Sequence, residues 1–402
     1  MPSTERDDAG DFGLLDPLWA GRSIASMTSD AAVLAALLRF EVALATVTAP
    51  DGVATSIAQV GAQLDGDLDP AAIAAEARAG GNPVIPFLAA LRSRLDPDAA
   101  HWLHRGATSQ DALDTALVMI ARDAVAVLLI DATVAARKLA AQAETHRATV
   151  ITGRTLTQTA TPTTLGLKLA GWAWSLARSI AALRAAAAAL PVQLGGASGT
   201  LAAFTASGVD GVSVATRLAS TLRLAEPVAP WHVLRSPITR LADALVELVD
   251  SLGTIGRNVA ALARVGELDD GADGGSSTMP HKSNPVRAVL LVSAATRAPF
   301  LGAALHAAAV TVDERPDGAW HSEWSTLRDL LRLAGGAAAT GLELADGLRV
   351  HTSVIAANVA AAADDLLAES AKFGGAATPA DYLGSADELT TRMLAAVEEE
   401  LS

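Results

Sequence analysis

Apolar and polar positions along this chain follow helical spacing almost throughout, and two-residue alternation over several positions is nearly absent. The window from Ala107 to Thr152 contains neither Gly nor Pro. It is rich in Ala, Leu and Val with charges interspersed, which predicts one very long helix of roughly 60 Å. Thr108 and Ser109 are placed to cap its start. Further Gly- and Pro-poor runs predict helices at Trp172–Leu190, Val212–Ala225, Ile238–Leu252, Val286–Ala298 and His321–Ala334. The expected class is all-α. Helices this long, and this apolar around their circumference, need neighbours on most sides, so the pattern calls for an elongated bundle and for packing between subunits.

The division expected along the chain is an N-terminal helical domain at 1–105, a central long-helix bundle at 106–348 and a short C-terminal domain at 349–402. Leu366 to Ala380 carries Gly, Ala and Pro and is expected to be irregular.

Composition narrows the picture. Of 402 residues, 51% are hydrophobic but only 3% aromatic, so the core must be built from Ala, Leu and Val. The absence of cysteine excludes disulfides, thiolate nucleophiles and Cys-ligated metal, and agrees with a reducing cytoplasm. The N-terminus, Met1 to Phe12, is acidic and polar, unlike a signal peptide. The longest apolar runs are broken by residues such as Arg297 and His306, which argues against a membrane span. A net charge of −14 without a Lys/Arg cluster argues against nucleic acid. No His pair stands at metal-ligand spacing and no strand-linked glycine fingerprint occurs, so no metal and no organic cofactor is expected.

Six short segments could carry chemistry. Gly274 to Pro285 places Ser276, Ser277, Met279, Lys282 and Asn284 in one loop, combining hydroxyls, a cation and an amide. His104 to Asp111 puts Thr108, Ser109 and Gln110 at a helix start, where free N–H groups and the positive helix end favour a carboxylate. Gly153 to Pro162 offers Gln158 and Thr161. Gly195 to Thr200 is glycine-rich. Pro230-Trp231-His232 with Arg235 reads as a carboxylate clamp, Arg supplying a planar fork of donors. Trp320 to Trp324 adds His321, either a helix-start residue or a member of the site.

The Ser-Ser-x-Met-Pro-x-Lys-x-Asn order from Ser276 to Asn284 resembles the signature loop of the fumarase/aspartase superfamily. His104-x-Gly-Ala-Thr-Ser-Gln-Asp111, Pro230-Trp231-His232-x-x-Arg235 and Trp320-His321-x-Glu323-Trp324 resemble its 3-carboxy-cis,cis-muconate cycloisomerase branch. Leu156 stands where the superfamily's lyases normally have His and the cycloisomerases lack it. Arg105 replaces a Trp usual in that branch, and only 53 residues, 350 to 402, follow Arg349, fewer than its usual final domain.

The resemblance implies a homotetramer whose active sites draw on several subunits. It also implies lactonisation of 3-carboxymuconate, a small tricarboxylate, in protocatechuate catabolism. Another superfamily lyase, such as adenylosuccinate lyase, is the alternative. By this resemblance the catalytic residues are Ser277, Lys282 and His104. The substrate-binding residues are Thr108, Ser109, Gln110, Gln158, Thr161, His232, Arg235, Met279, Asn284 and His321.

Overall fold

The computed structural model describes residues 12–64, 69–272 and 284–402. It is built from helices, as the pattern requires. Six precede the long one: α1 (Ser23–Met27), α2 (Asp30–Thr48), α3 (Val53–Leu64), α4 (Pro70–Gly80), α5 (Val84–Arg92) and α6 (Pro97–Trp102). Then come α7 (Ser109–Thr145), the hairpin β1 (Val150–Thr155) and β2 (Gln158–Thr164), and α8 (Leu165–Ala188). The short α9 (Ala202–Ala206) and α10 (Gly211–Leu222) lead to α11 (Ser236–Arg264), β3 (Leu268–Asp269), α12 (Val286–Ala308) and α13 (Gly318–Gly347). The chain closes with β4 (Arg349–Val350), α14 (Thr352–Ala361), α15 (Ala363–Leu367), two 3₁₀ turns and α16 (Ala386–Leu401).

Five helices form the bundle: α7 packs on α8 and α13, α12 packs on α13 and α11, and α11 closes onto α8. Their shared core is Leu, Val, Ile and Ala, with Leu139, Leu176, Leu248 and Leu330 all at most 1% exposed. A second core lies under α2, α5 and α10 and includes Ala112, Leu113, Ala116 and Met119 of α7. We propose the division at residue 105 from the sequence; in packing, the first turns of α7 belong to this N-terminal core.

The helices overrun their Gly- and Pro-free windows where small residues sit at close crossings. A Cβ at Gly253 of α11 would stand 2.1 Å from Ala295 Cβ, and one at Gly336 of α13 would stand 2.7 Å from Leu18 O. Glycine there permits contact between elements, at a cost in helix propensity that packing overrides. In the other direction, the long window is not all helix. It ends at Thr145, and the β-branched run Val150–Thr152 goes instead into the hairpin, with Val150 opposite Thr164 and Thr155 opposite Gln158. Of residues 366–380, Leu366 and Leu367 end α15 and the rest form turns and 3₁₀ helices around Ser370–Phe373 and Pro379–Asp381.

Two helices, Asp30–Thr48 and Val286–Ala308, are long and apolar enough to cross a membrane by length and composition. Leu37, Phe40 and Leu44 of α2 are fully buried inside the protein. On α12, Val289 and Phe300 are exposed, at 55% and 75%.

Candidate active site

The start of α7 is the organising point. Asp111, fully buried, accepts a bond from Thr108 N at 2.9 Å, which caps the helix as expected from Thr108. The same carboxylate accepts Gly195 N and Gly196 N, both at 2.9 Å, and faces His232 Nε2 at 2.7 Å. One carboxylate therefore ties together the helix start, the Gly-rich turn and the Pro-Trp-His segment, which are separate in sequence. Gly195 is required there, because a Cβ would meet His232 Cε1 at 2.7 Å.

One turn further along α7, Asp114 accepts both terminal nitrogens of Arg235, at 2.7 and 3.0 Å, and Trp320 Nε1 at 2.9 Å. Arg235 also donates through Nε to Glu323 at 3.0 Å. Burial raises the Glu323 carboxyl above its ordinary range, and the Arg235 guanidinium opposes that shift. One guanidinium serves two buried carboxylates, so one of them gains from keeping its proton.

Three residues expected to bind substrate lie inside this network. Arg235 and His232 are each 2% exposed, and the donors of Arg235 are committed to Asp114, Glu323 and Trp231 O, so neither residue is a free clamp for a ligand. Gln110 is fully buried and donates to His232 O at 2.9 Å. Thr108, Ser109 and His104 remain partly accessible at its mouth. His104 Nδ1 lies 2.7 Å from Glu41 Oε1, and the Glu41 side chain is fully buried. His321 is exposed, its ring 4.7 Å from that of Trp324, with Nε2 beside Gly81 of the first-domain Gly-Gly-Asn-Pro segment.

Sequence reasoning missed Arg315. It leaves the segment between α12 and α13 and donates through Nη2 to Thr108 Oγ1 and to Ala197 O, directly over the helix start. It also missed Asp111 and Asp114 as the centre of the network. Two acids three positions apart on the apolar face of a helix were the available signal.

The Gly153–Pro162 segment lies at the other pole. α7 has 37 residues, which at 1.5 Å each span about 55 Å. Beyond its far end is the hairpin, with Leu156 at the tip, 96% exposed and at φ +48°. Gln158 is exposed and Thr161 half-buried. Arg154 makes two bonds, 2.8 and 3.1 Å, to the fully buried Glu267, which also accepts Asn358 Nδ2 at 2.9 Å. Asp270 and Asn284, which flank the segment 273–283, sit at this pole too: Asp270 Oδ2 accepts Ala288 N at 3.1 Å. Ser277, Met279 and Lys282 lie outside the described residues. Among the described residues, no group of three or more His, Asp or Glu could hold a metal ion.

Residues 53–299 match the family model described as lyase. This chain belongs to that lyase family. Within it, the chain is 44% identical over 367 residues to the nitrosuccinate lyase of Streptomyces davaonensis, covering 87% of this chain and 77% of that protein. It is 42% identical over 369 residues to the 3-carboxy-cis,cis-muconate cycloisomerase of Pseudomonas aeruginosa, covering 89% and 80%. The structure of the 3-carboxy-cis,cis-muconate lactonizing enzyme from Pseudomonas putida superposes with a TM-score of 0.88 at 32% identity, over 97% of this chain and all of that one. These matches bear out the all-α long-helix fold and the resemblance drawn from the motifs.

Proposed function

We propose that this lyase-family protein is a 3-carboxy-cis,cis-muconate cycloisomerase. One carboxylate oxygen of the substrate bonds to an alkene carbon and closes a γ-lactone. The electron pair of that alkene moves toward a neighbouring carboxylate as an aci-acid, and a proton is delivered to the carbon beside it. The observation that carries this reading is the end-to-end match to the lactonizing enzyme. Leu156 agrees with it: an exposed aliphatic tip cannot transfer a proton, so the acid comes from elsewhere.

In this reading Ser277 is the proton carrier, with Lys282 and Asn284 stabilising the developing aci-carboxylate. Thr108, Ser109 and Arg315 hold a second carboxylate at the helix start, and His104 orients the substrate. Gln158, Thr161, Met279 and His321 form the walls of the pocket. Because Thr108 and Gln158 sit at opposite ends of α7, a site that uses both needs neighbouring subunits running antiparallel. A homotetramer around the long helices supplies them, and the exposed α12 residues Val289 and Phe300 support such packing. No metal or organic cofactor enters the reaction. The cysteine-free composition supports a cytoplasmic location.

The 44% identity to nitrosuccinate lyase favours a second reading, in which the same aci-carboxylate site expels a leaving group from nitrosuccinate. Purified protein mixed with 3-carboxymuconate should bleach the diene absorbance. Turnover of nitrosuccinate or adenylosuccinate with no loss of diene absorbance would transfer the assignment.

A further inference from the structure

We propose that Glu41 of α2 is the positioning residue for His104, holding the proton on Nδ1 and leaving Nε2 as the nitrogen the imidazole offers at the site mouth. Nothing in the motifs pointed to Glu41, which lies 63 positions earlier in a helix of the N-terminal core. This inference rests on the reading of His104 as a group that meets the substrate.

Three observations converge. The contact is close, 2.7 Å from His104 Nδ1 to Glu41 Oε1, with the carboxylate fully buried and the imidazole 14% exposed. Second, Glu41 Oε2 is buried with no hydrogen-bond partner among the described residues. An ionised carboxylate with a bare oxygen in an apolar core is costly, and an apolar residue of similar volume would fill that space better. Retaining the charge makes sense if its effect is exerted on the ring it touches. Third, His104 adopts φ +61°, a left-handed conformation unfavourable for a side chain with Cβ, two residues before Gly106 at φ +81°. The backbone turns out of its ordinary range there, and the turn brings the ring to Glu41.

The chemistry follows from the two nitrogens. An imidazole whose Nδ1–H is held by a carboxylate has its tautomer fixed, its ring locked and Nε2 made more basic. His104 Nε2 bonds to no other residue among those described, so it is available to a ligand. Arg92 of α5 donates to Leu103 O at 3.3 Å, and Arg105 pairs with His101 and lies over the Trp102 ring. Both cations turn to other partners and leave Glu41 as the group in contact with the imidazole.

The test is Glu41→Gln in the full-length protein, a substitution that keeps volume and removes charge. Nitrogen-15 spectra of the eight histidines, with His104 assigned by its loss in His104→Gln, report the tautomer of His104 directly. We expect Nδ1 protonated in the unaltered protein. In Glu41→Gln the preference for the Nδ1-protonated tautomer should be lost, with kcat/KM falling roughly tenfold or more and the melting transition nearly unchanged. In a His104→Gln background, Glu41→Gln should cost little further activity. Should Glu41→Gln fail to fold, Glu41→Asp, which withdraws the carboxylate by one methylene, should weaken the tautomer preference in smaller measure. An unchanged His104 tautomer, or full additivity of the two substitutions, overturns the pairing. Full activity in His104→Gln overturns the catalytic part separately, because the spectra do not depend on turnover.

Discussion

Arg235 grips Asp114 with both terminal nitrogens, at 2.7 and 3.0 Å, across 121 positions of sequence. The pair is sealed, with each side chain 1% exposed, and Glu323 completes it from the opposite side. Arg235→Met would leave two buried carboxylates without their cation. Removing one partner of such a group costs about 3–5 kcal/mol. A urea unfolding series should show that loss as a lower midpoint; an unchanged midpoint would mean the triad contributes nothing to folding.

Glu323 carries a pH signature. Its folded carboxyl is raised by burial. A raised group contributes its stability fully below the unfolded carboxylate value and loses it as pH rises through the folded value. The stability gap between the natural protein and Glu323→Gln should therefore narrow as pH is raised from about 4.3 toward neutrality. A gap that widens over that range would show that Arg235 outweighs burial.

Arg315 covers the helix start without belonging to the buried network. Arg315→Met should leave the fold intact and weaken substrate binding, with KM rising about tenfold or more, the scale of a lost bond to a charged group. A fall in kcat at constant KM would instead give Arg315 a transition-state role.

Sharing of sites between subunits can be read by complementation. Ser277→Ala should cost at least roughly 100-fold in turnover. His104→Gln should also be impaired. Hybrids formed by unfolding and refolding the two together should regain a measurable fraction of activity, because some sites would take each motif from an unaltered subunit. No recovery in confirmed hybrids would place both motifs in one subunit's site.

Phe300→Glu probes the assembly itself. The side chain is 75% exposed on α12, so a charge there should leave the chain folded and shift light-scattering mass below that of a tetramer. An unchanged mass would remove α12 from the interface.

The sequence by itself determined the class, the long helix and its capped start, and the family. Helical periodicity and cap chemistry are local, and the run from Ser276 to Asn284 keeps its order whatever surrounds it. It did not determine where helices stop. The glycines within α11 and α13 read as breaks, yet they are points of contact with Ala295 and Leu18, which no local rule reveals. Nor did it separate residues that face a ligand from residues that hold the site. His232, Arg235 and Gln110 carry ligand-binding side chains in a ligand-binding motif, but Asp111, Asp114 and Glu323 claim them inside the core. Which polar group finds which partner depends on contacts across a hundred positions or more. Only packing of the bundle sets those contacts, and it also carried Leu156 and Asn284 to the pole opposite Thr108.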